Sequence, residues 1–227
     1  MKFFENAISS FRNKEAGRRI FILANGPSII EEDLSLLKNE VAIGMNASTM
    51  LENRFDFHSK YYVVSDLRFI NHLEKRCWAT DRLASSTNRI IRADLRPFDD
   101  PELESRTCYV RSIARDGFSE NLSVGFYYGC TTTMLALQLA WHLGAREVYL
   151  LGCDLRYPEE SPRFYTESSA QLEDAFTSIQ LHNIIVAAQA FEKAGGSLIN
   201  CSARSFLRPY MPYQNFSEIF ESVDERG

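Results

Sequence analysis

Five short apolar runs in this chain stop abruptly at small polar residues. RIFILA at 19–24 meets Asn25, Gly26, Pro27 and Ser28, and VAIGM at 41–45 meets Asn46, Ala47 and Ser48. KYYVV at 60–64 meets Ser65 and Asp66, EVYLL at 147–151 meets Gly152, Cys153 and Asp154, and SLIN at 197–200 runs into Cys201 and Ser202. Apolar runs this short read as buried strands. Helical patterns fall after them: through Leu67, Ile70, Leu73 and Trp78, over 131–143 (TTTMLALQLAWHL, apolar at almost every position and so a buried helix), over 171–193 and over 215–222. Gly144 and the pair Gly195 and Gly196 stop two of these helices. Strand, turn and helix in repeated order predict an α/β fold, a Rossmann-like, mostly parallel sheet with helices on both faces.

Residues 79–120 break the pattern. They mix charges of both signs, carry Pro97 and Pro101, and offer only short apolar runs at Ile90, Ile91 and 108–110. They read either as a small lid or irregular insertion, or as a solvated surface. One domain over 1–227 is expected, with that insertion and a mobile loop at 155–169. A chain with 45% hydrophobic residues has material for a full core, which excludes a disordered tail or a disulfide miniprotein. A net charge of -5 argues against a nucleic-acid partner while leaving room for a local anion site.

The five cysteines are odd in number, scattered and without a CxxC, which suits reduced thiols and a cytoplasmic location. No secretory signal is expected in residues 1–19, which lack an apolar core segment. Those residues could instead form an amphipathic helix with Phe3, Phe4, Ala7, Ile8 and Phe11 on one face. Such a helix packs on its own domain or makes a peripheral contact with the inner membrane.

In a parallel sheet the polar strand ends share one edge, and open α/β sheets bind ligands in the crevice outside that edge. Asn25, Ser28, Asn46, Ser65 and Asp154 then propose a site that works by hydrogen bonds, suited to a nucleoside; each of these residues could equally cap a βα turn. The first turn is neither GxGxxG nor a P-loop. Thr131, Thr132 and Thr133, opening the buried helix, offer hydroxyls and free N–H groups as an anion cradle. The loop LRYPEESPRFYTESS holds Arg156, Tyr157, Arg163 and Tyr165, two guanidiniums and two phenols able to close over a phosphate. His182 is a candidate base for a sugar hydroxyl, although a lone helical histidine is more often structural. His58, His72 and His142 have no better context. No HExxH, GxSxG or DxD occurs, and no metal ligand set is expected.

ILANGPSI at 22–29, GMNAS at 44–48, YYVVSD at 61–66 and GCTTTMLALQLAWHLGAREVYLLGCDL at 129–155 resemble the bacterial sialyltransferases of glycosyltransferase family 42. They equally resemble proteins with the MptE-like domain of unknown function 115. The family 42 resemblance implies an inverting, metal-independent glycosyltransferase with no cofactor. Its nucleotide-sugar donor would be a CMP-activated acidic sugar and its acceptor a surface glycan. On that resemblance Asn25, Gly26 and Ser28 line the cytidine phosphate site, and Asn46 bonds the donor. Thr131 and Thr132 hold the phosphate or the sugar carboxylate, and Asp154 contacts the ribose or nearby backbone. Tyr157, with a one-residue shift, and Tyr165 match two tyrosines that stabilise the leaving phosphate, and His182 falls near the family's general base. Two positions depart: Ser65 replaces an asparagine after the third strand, and Gly129 replaces an arginine before the threonines. The weaker arginine clamp leaves room for sialic acid, Kdo or another nonulosonic acid. The MptE-like resemblance implies instead an ATP-dependent diphosphokinase, which would need magnesium. A non-catalytic nucleotide-sugar-binding protein is the third reading, and a homo-oligomer stays open under all three.

Overall fold

The computed structural model describes residues 8–95, 106–158, 161–166 and 174–224. Strands β1 (Ile20–Leu23), β2 (Val41–Met45) and β3 (Tyr61–Val64) come first, with helices α1 (Thr49–Phe55), α2 (Arg68–Asn71) and α3 (Leu73–Ala79) after the second and third. Then follow β4 (Asn88–Arg92), β5 (Thr107–Val110), the short strands β6 (Ser112–Ile113) and β7 (Phe126–Tyr127), and helix α4 (Thr132–His142). Strand β8 (Glu147–Leu151), helix α5 (Thr177–Lys193), strand β9 (Ser197–Asn200) and helix α6 (Glu218–Asp224) complete the chain. Seven strands form one sheet in the order β5-β4-β3-β2-β1-β8-β9, and every pairing in it is parallel.

A parallel sheet buries both faces, so its strands are apolar throughout rather than alternating. Side chains nonetheless divide by the strand period of two. Ile20 and Ile22 join Ile43, Leu135, Leu139, Ile184 and Phe191 on the face covered by α4 and α5. Phe21 and Leu23 join Leu34, Leu37, Leu51 and Phe216 on the other. Helix α4 is buried on all sides except at Trp141, as its unbroken apolar sequence requires.

Residues 79–120 are not wholly an irregular insertion. Asn88–Arg92 and Thr107–Val110 are β4 and β5, two full members of the main sheet. Charged neighbours conceal them in the sequence: Arg89 is itself buried, with its guanidinium donating to the carbonyl of Ala79 at 3.0 Å. The central part of the insertion, 96–105, lies outside the described residues. The segment carrying β6 and β7 is fastened to α4 by the buried amide of Gln138, which accepts from the backbone N–H of Ser119 and Tyr127 and donates to the Tyr127 carbonyl.

Other element bounds also shift. The helix expected over 67–78 divides at His72, whose backbone is extended (φ -96°, ψ 118°). The helix expected from 171 begins at Thr177, because Asp174 starts a capping turn whose carbonyl accepts from the Thr177 N–H. The last helix begins at Glu218, after a turn in which Asn215 accepts from Ser217. The amphipathic helix expected at the start falls partly on residues 1–7, outside the described residues. Residues 10–17 run as successive turns, and Ile8 and Phe11 sit in the domain's own core, with the Phe11 ring edge-on to Tyr61. All five cysteines are free thiols. Among the described residues no helix is long and apolar enough to cross a membrane.

Candidate functional site

Strand β1 pairs with β2 on one side and with β8 on the other. The chain winds away from β1 toward β5 first and returns to the opposite side for β8, so the connections diverge at the β1–β8 boundary. That divergence opens a crevice at the carboxyl ends of the strands. A cleft of about 420 Å³ occupies it, a volume in the range of small-molecule sites. Asn25 and Gly26 enter from β1, Asn46 from β2, Asp66 from β3, Asp154 from β8, and Thr131, Thr132 and Thr133 from the head of α4. Four of the five strand ends singled out in the sequence therefore meet in one place, while Cys201 and Ser202, after β9, do not line it.

On this side of the cleft the side chains are bonded to one another. The Asn25 amide donates to the Met45 carbonyl at 3.1 Å and accepts from the Ala47 N–H at 2.9 Å, tying β1 to β2. The Asp154 carboxylate, 4% exposed, accepts from the Ser28 N–H at 2.9 Å and the Ser28 hydroxyl at 2.5 Å. Gly26 is enclosed by that pair. A Cβ there would stand 2.4 Å from Asp154 Oδ2 and 2.6 Å from the Gly152 carbonyl oxygen, so no larger residue fits. Ser65, fully buried behind the cleft, shares a hydrogen bond with Thr132 at 2.9 Å. The Thr131 hydroxyl caps α4 by accepting from the Thr133 N–H at 3.3 Å. Asn25, Ser28, Ser65 and Asp154 thus act as turn and wall residues. Ser28 faces an adjoining hollow rather than the cleft. Asn46 differs: it lines the cleft, and its Oδ1 is buried with no hydrogen-bond partner among the described residues. An orphaned buried acceptor is uncommon in a folded protein and marks a position open to a donor group.

Backbone strain gathers here too. Among the described residues five that are not glycine hold left-handed φ values, and three of them, Asn46 (52°), Cys130 (56°) and Leu155 (53°), line the cleft. Each such residue costs on the order of 1–3 kcal/mol and persists only where its surroundings force it. Gly129, at φ 52°, makes the sharp entry into α4. A Cβ on it would press on Met134 and Asn183 at 2.8 and 2.9 Å, which explains why a glycine stands where the resemblance expected an arginine.

The opposite rim carries charge and aromatic rings. Arg163 lies over the Tyr157 ring at 4.7 Å, and Arg156 over the Phe206 ring at 4.5 Å. Arg68, exposed, clasps the Asp66 carboxylate at 2.6–3.1 Å. Burial pushes that carboxyl up, but the guanidinium and backbone N–H of Arg68 outweigh burial and hold it below the usual carboxylate range. Burial raises the phenols of Tyr157 and Tyr128 above their ordinary value, so both stay protonated donors at neutral pH. The thiol of Cys130 is raised by burial and by Asp116 and Asp174. Asp174 Oδ2 accepts from Gln180 Nε2 at 2.8 Å and from the Tyr157 hydroxyl at 3.4 Å, and Gln180 also donates to the Cys130 carbonyl.

Two expected catalytic groups lie elsewhere. His182 is exposed and does not line the cleft. It follows Gln180 by two positions, a turn of about 200° around the helix, so when Gln180 faces the cleft His182 faces away. Tyr165 packs edge-on against Trp78, ring centres 4.9 Å apart, and belongs to the core beside β3. Sequence reasoning missed Arg68, Tyr128, Asp174 and Gln180. Gln180 left a signal, being a polar residue on the buried stripe of α5 that continues through Asn183, Ile184, Ala187 and Phe191. In the loop at 155–169, residues 159–160 and 167–169 lie outside the described residues. Among the described residues no three His, Cys, Asp or Glu side chains gather as a metal site.

No protein-family model matches this chain, and no curated protein matches it in sequence. Solved structures do resemble it. The MAf glycosyltransferase of Magnetospirillum magneticum AMB-1 superposes with a TM-score of 0.58 at 16% identity, over 96% of this chain and 38% of that one. The sialyltransferase CstII of Campylobacter jejuni, solved with the substrate analogue cytidine-5'-monophosphate, superposes with a TM-score of 0.52 at 14% identity, over 87% of this chain and 85% of that one. Both neighbours are glycosyltransferases. At these identities the likeness is one of fold. The present chain spans 38% of the length of the MAf enzyme.

Proposed function

We propose that this protein transfers a glycosyl group from a nucleotide-activated sugar, specifically a CMP-activated acidic sugar, to a glycan acceptor. The observation that carries the reading is the cleft at the divergence of β1 and β8, which combines an orphaned acceptor on Asn46, the head of α4, protonated phenols and exposed arginines. A cytidine head calls for hydrogen-bond partners such as Asn46. A phosphate calls for N–H groups at a helix start and for donors that carry no proton-transfer duty. Arg156 and Arg163 supply cationic donors for a sugar carboxylate, a role the sequence leaves empty at Gly129.

In the reaction an acceptor oxygen attacks the anomeric carbon from the face opposite the phosphate. The anomeric C–O bond breaks, its electron pair leaves with CMP, and the anomeric centre inverts. Tyr157 and the start of α4 hydrogen-bond the departing phosphate, whose charge rises as the bond breaks. Neither a metal nor a cofactor enters this scheme. The similarity in fold to a sialyltransferase solved with cytidine-5'-monophosphate favours the donor class.

The test is release of CMP from CMP-N-acetylneuraminic acid and CMP-Kdo in EDTA, with a thermal-shift screen of CMP, ATP and GTP with and without magnesium. CMP binding and metal-independent release are expected. A magnesium requirement with a preference for ATP would replace this reading with diphosphate transfer, and binding of CMP-sugars without turnover would leave a non-catalytic binding protein.

A further inference from the structure

A second hollow of about 1190 Å³ adjoins the cleft. The two share one wall, formed by Asp154, Leu155, Arg156, Tyr157 and Asp174. On the far side the hollow is lined by Ile30, Phe206 and Arg204. Phe206 is 42% exposed and already has a guanidinium stacked on it, leaving an aromatic and cationic surface of the kind on which a sugar ring can lie.

A donor in the cleft and an acceptor in the hollow would meet at the shared wall. Two carboxylates stand there, and they differ in what they have left to offer. Asp154 is buried and both its oxygens accept from Ser28. Asp174 is half-buried, and its Oδ2 accepts from Gln180 and Tyr157, while among the described residues Oδ1 accepts only the Phe176 N–H, at 2.9 Å. A carboxylate has about four acceptor positions, so Asp174 keeps one on Oδ1 for an incoming hydroxyl.

Building on the glycosyl-transfer reading, we propose that the hollow admits the acceptor and that Asp174 is the catalytic base that takes the acceptor's proton. The O–H bond of the acceptor breaks and its proton passes to Asp174 Oδ1. The freed electron pair forms the new bond to the anomeric carbon, and the old C–O pair leaves with CMP. Gln180 and Tyr157 fix the carboxylate in place. Among the described residues, the charged and titratable groups around it include Tyr157 and Arg163 from the loop after β8, Arg156 on the shared wall, and Cys130 at the entry to α4.

The experiment uses the full chain and follows CMP release from CMP-N-acetylneuraminic acid and CMP-Kdo, with water as the acceptor. Asp174→Asn is expected to lower kcat at least 100-fold, to leave CMP affinity within twofold, and to erase the acidic limb of the pH–rate profile. Glu192→Gln, an exposed change at the far end of α5, is expected to release CMP at the wild-type rate. Should Asp174→Asn fail to fold, Asp174→Glu keeps the charge, and its acidic limb is expected to move; an unmoved limb overturns the assignment. Full turnover by folded Asp174→Asn, or a larger loss in His182→Ala than in Asp174→Asn, overturns the assignment alone. A wild-type protein that neither binds CMP nor releases it overturns the assignment and the proposed function together.

Discussion

The two walls of the cleft are built on opposite plans. On the strand side, Asn25, Ser28, Thr131 and Asp154 spend their hydrogen bonds on one another and on the backbone. On the loop side, Arg156 and Arg163 lie over ring faces and Arg68 clasps the Asp66 carboxylate, in contact with solvent. A self-satisfied wall fixes a shape before any ligand arrives, and a lightly held rim can exchange water for ligand at low cost. The sequence features that look most like ligand contacts are, in this protein, largely the framework.

The sharpest way to break that contrast is Gly26→Ala. The added Cβ meets backbone and carboxylate oxygens at 2.6 and 2.4 Å, neither of which can move without opening the Ser28–Asp154 pair. A loss of roughly 2–3 kcal/mol in urea denaturation is expected, together with loss of CMP binding. An alanine variant of wild-type stability would show that the wall is pliant.

Arg163→Ala tests the other plan. Stability should stay within about 0.5 kcal/mol, while CMP-sugar affinity falls roughly tenfold, the size of one lost charge-assisted contact. Equal losses in both measurements would make the rim as structural as the wall.

The smallest effect separates two thiols. Burial pushes Cys153, on the wall, up to about 12, whereas the thiol of Cys130, on the rim, is raised less completely by burial and nearby carboxylates. A raised folded value means that the unfolded chain ionises first, near the ordinary thiol value of about 8.5. Stability from Cys153 is therefore full below that pH and is lost as pH climbs toward 12. Thermal midpoints measured from pH 8 to 11 should fall less steeply in Cys153→Ala than in the wild type, and Cys130→Ala should track the wild type more closely. Parallel slopes in all three would refute the difference.

Much of the frame was legible in the sequence because apolar runs ending in Asn, Ser and Asp leave few alternatives to strands that finish on one rim. Strands β4 and β5 were not legible. NRIIR and TCYV owe their burial to neighbours in space, and the buried Arg89 reads as surface until its bond to Ala79 is seen. In the site, Asn25, Gly26, Asn46, Thr132 and Asp154 announce themselves by position. Asp174 and Gln180 come to the cleft only through the packing of α5, whose helical phase turns His182 outward and Gln180 in. The docking of β6 and β7 through Gln138 escaped for the same reason, since its partners lie 11 and 19 residues away.

The placement of β1 has a consequence for synthesis. Its first neighbour, β2, follows at once, but its second, β8, reaches Leu151 only after more than half the chain has been made. At ordinary elongation rates the interval is on the order of 10 s. Throughout it the nascent polypeptide carries an open, apolar flank at what will become the middle of its sheet. A holding chaperone, or slow release from the ribosome, would find its natural point of action there.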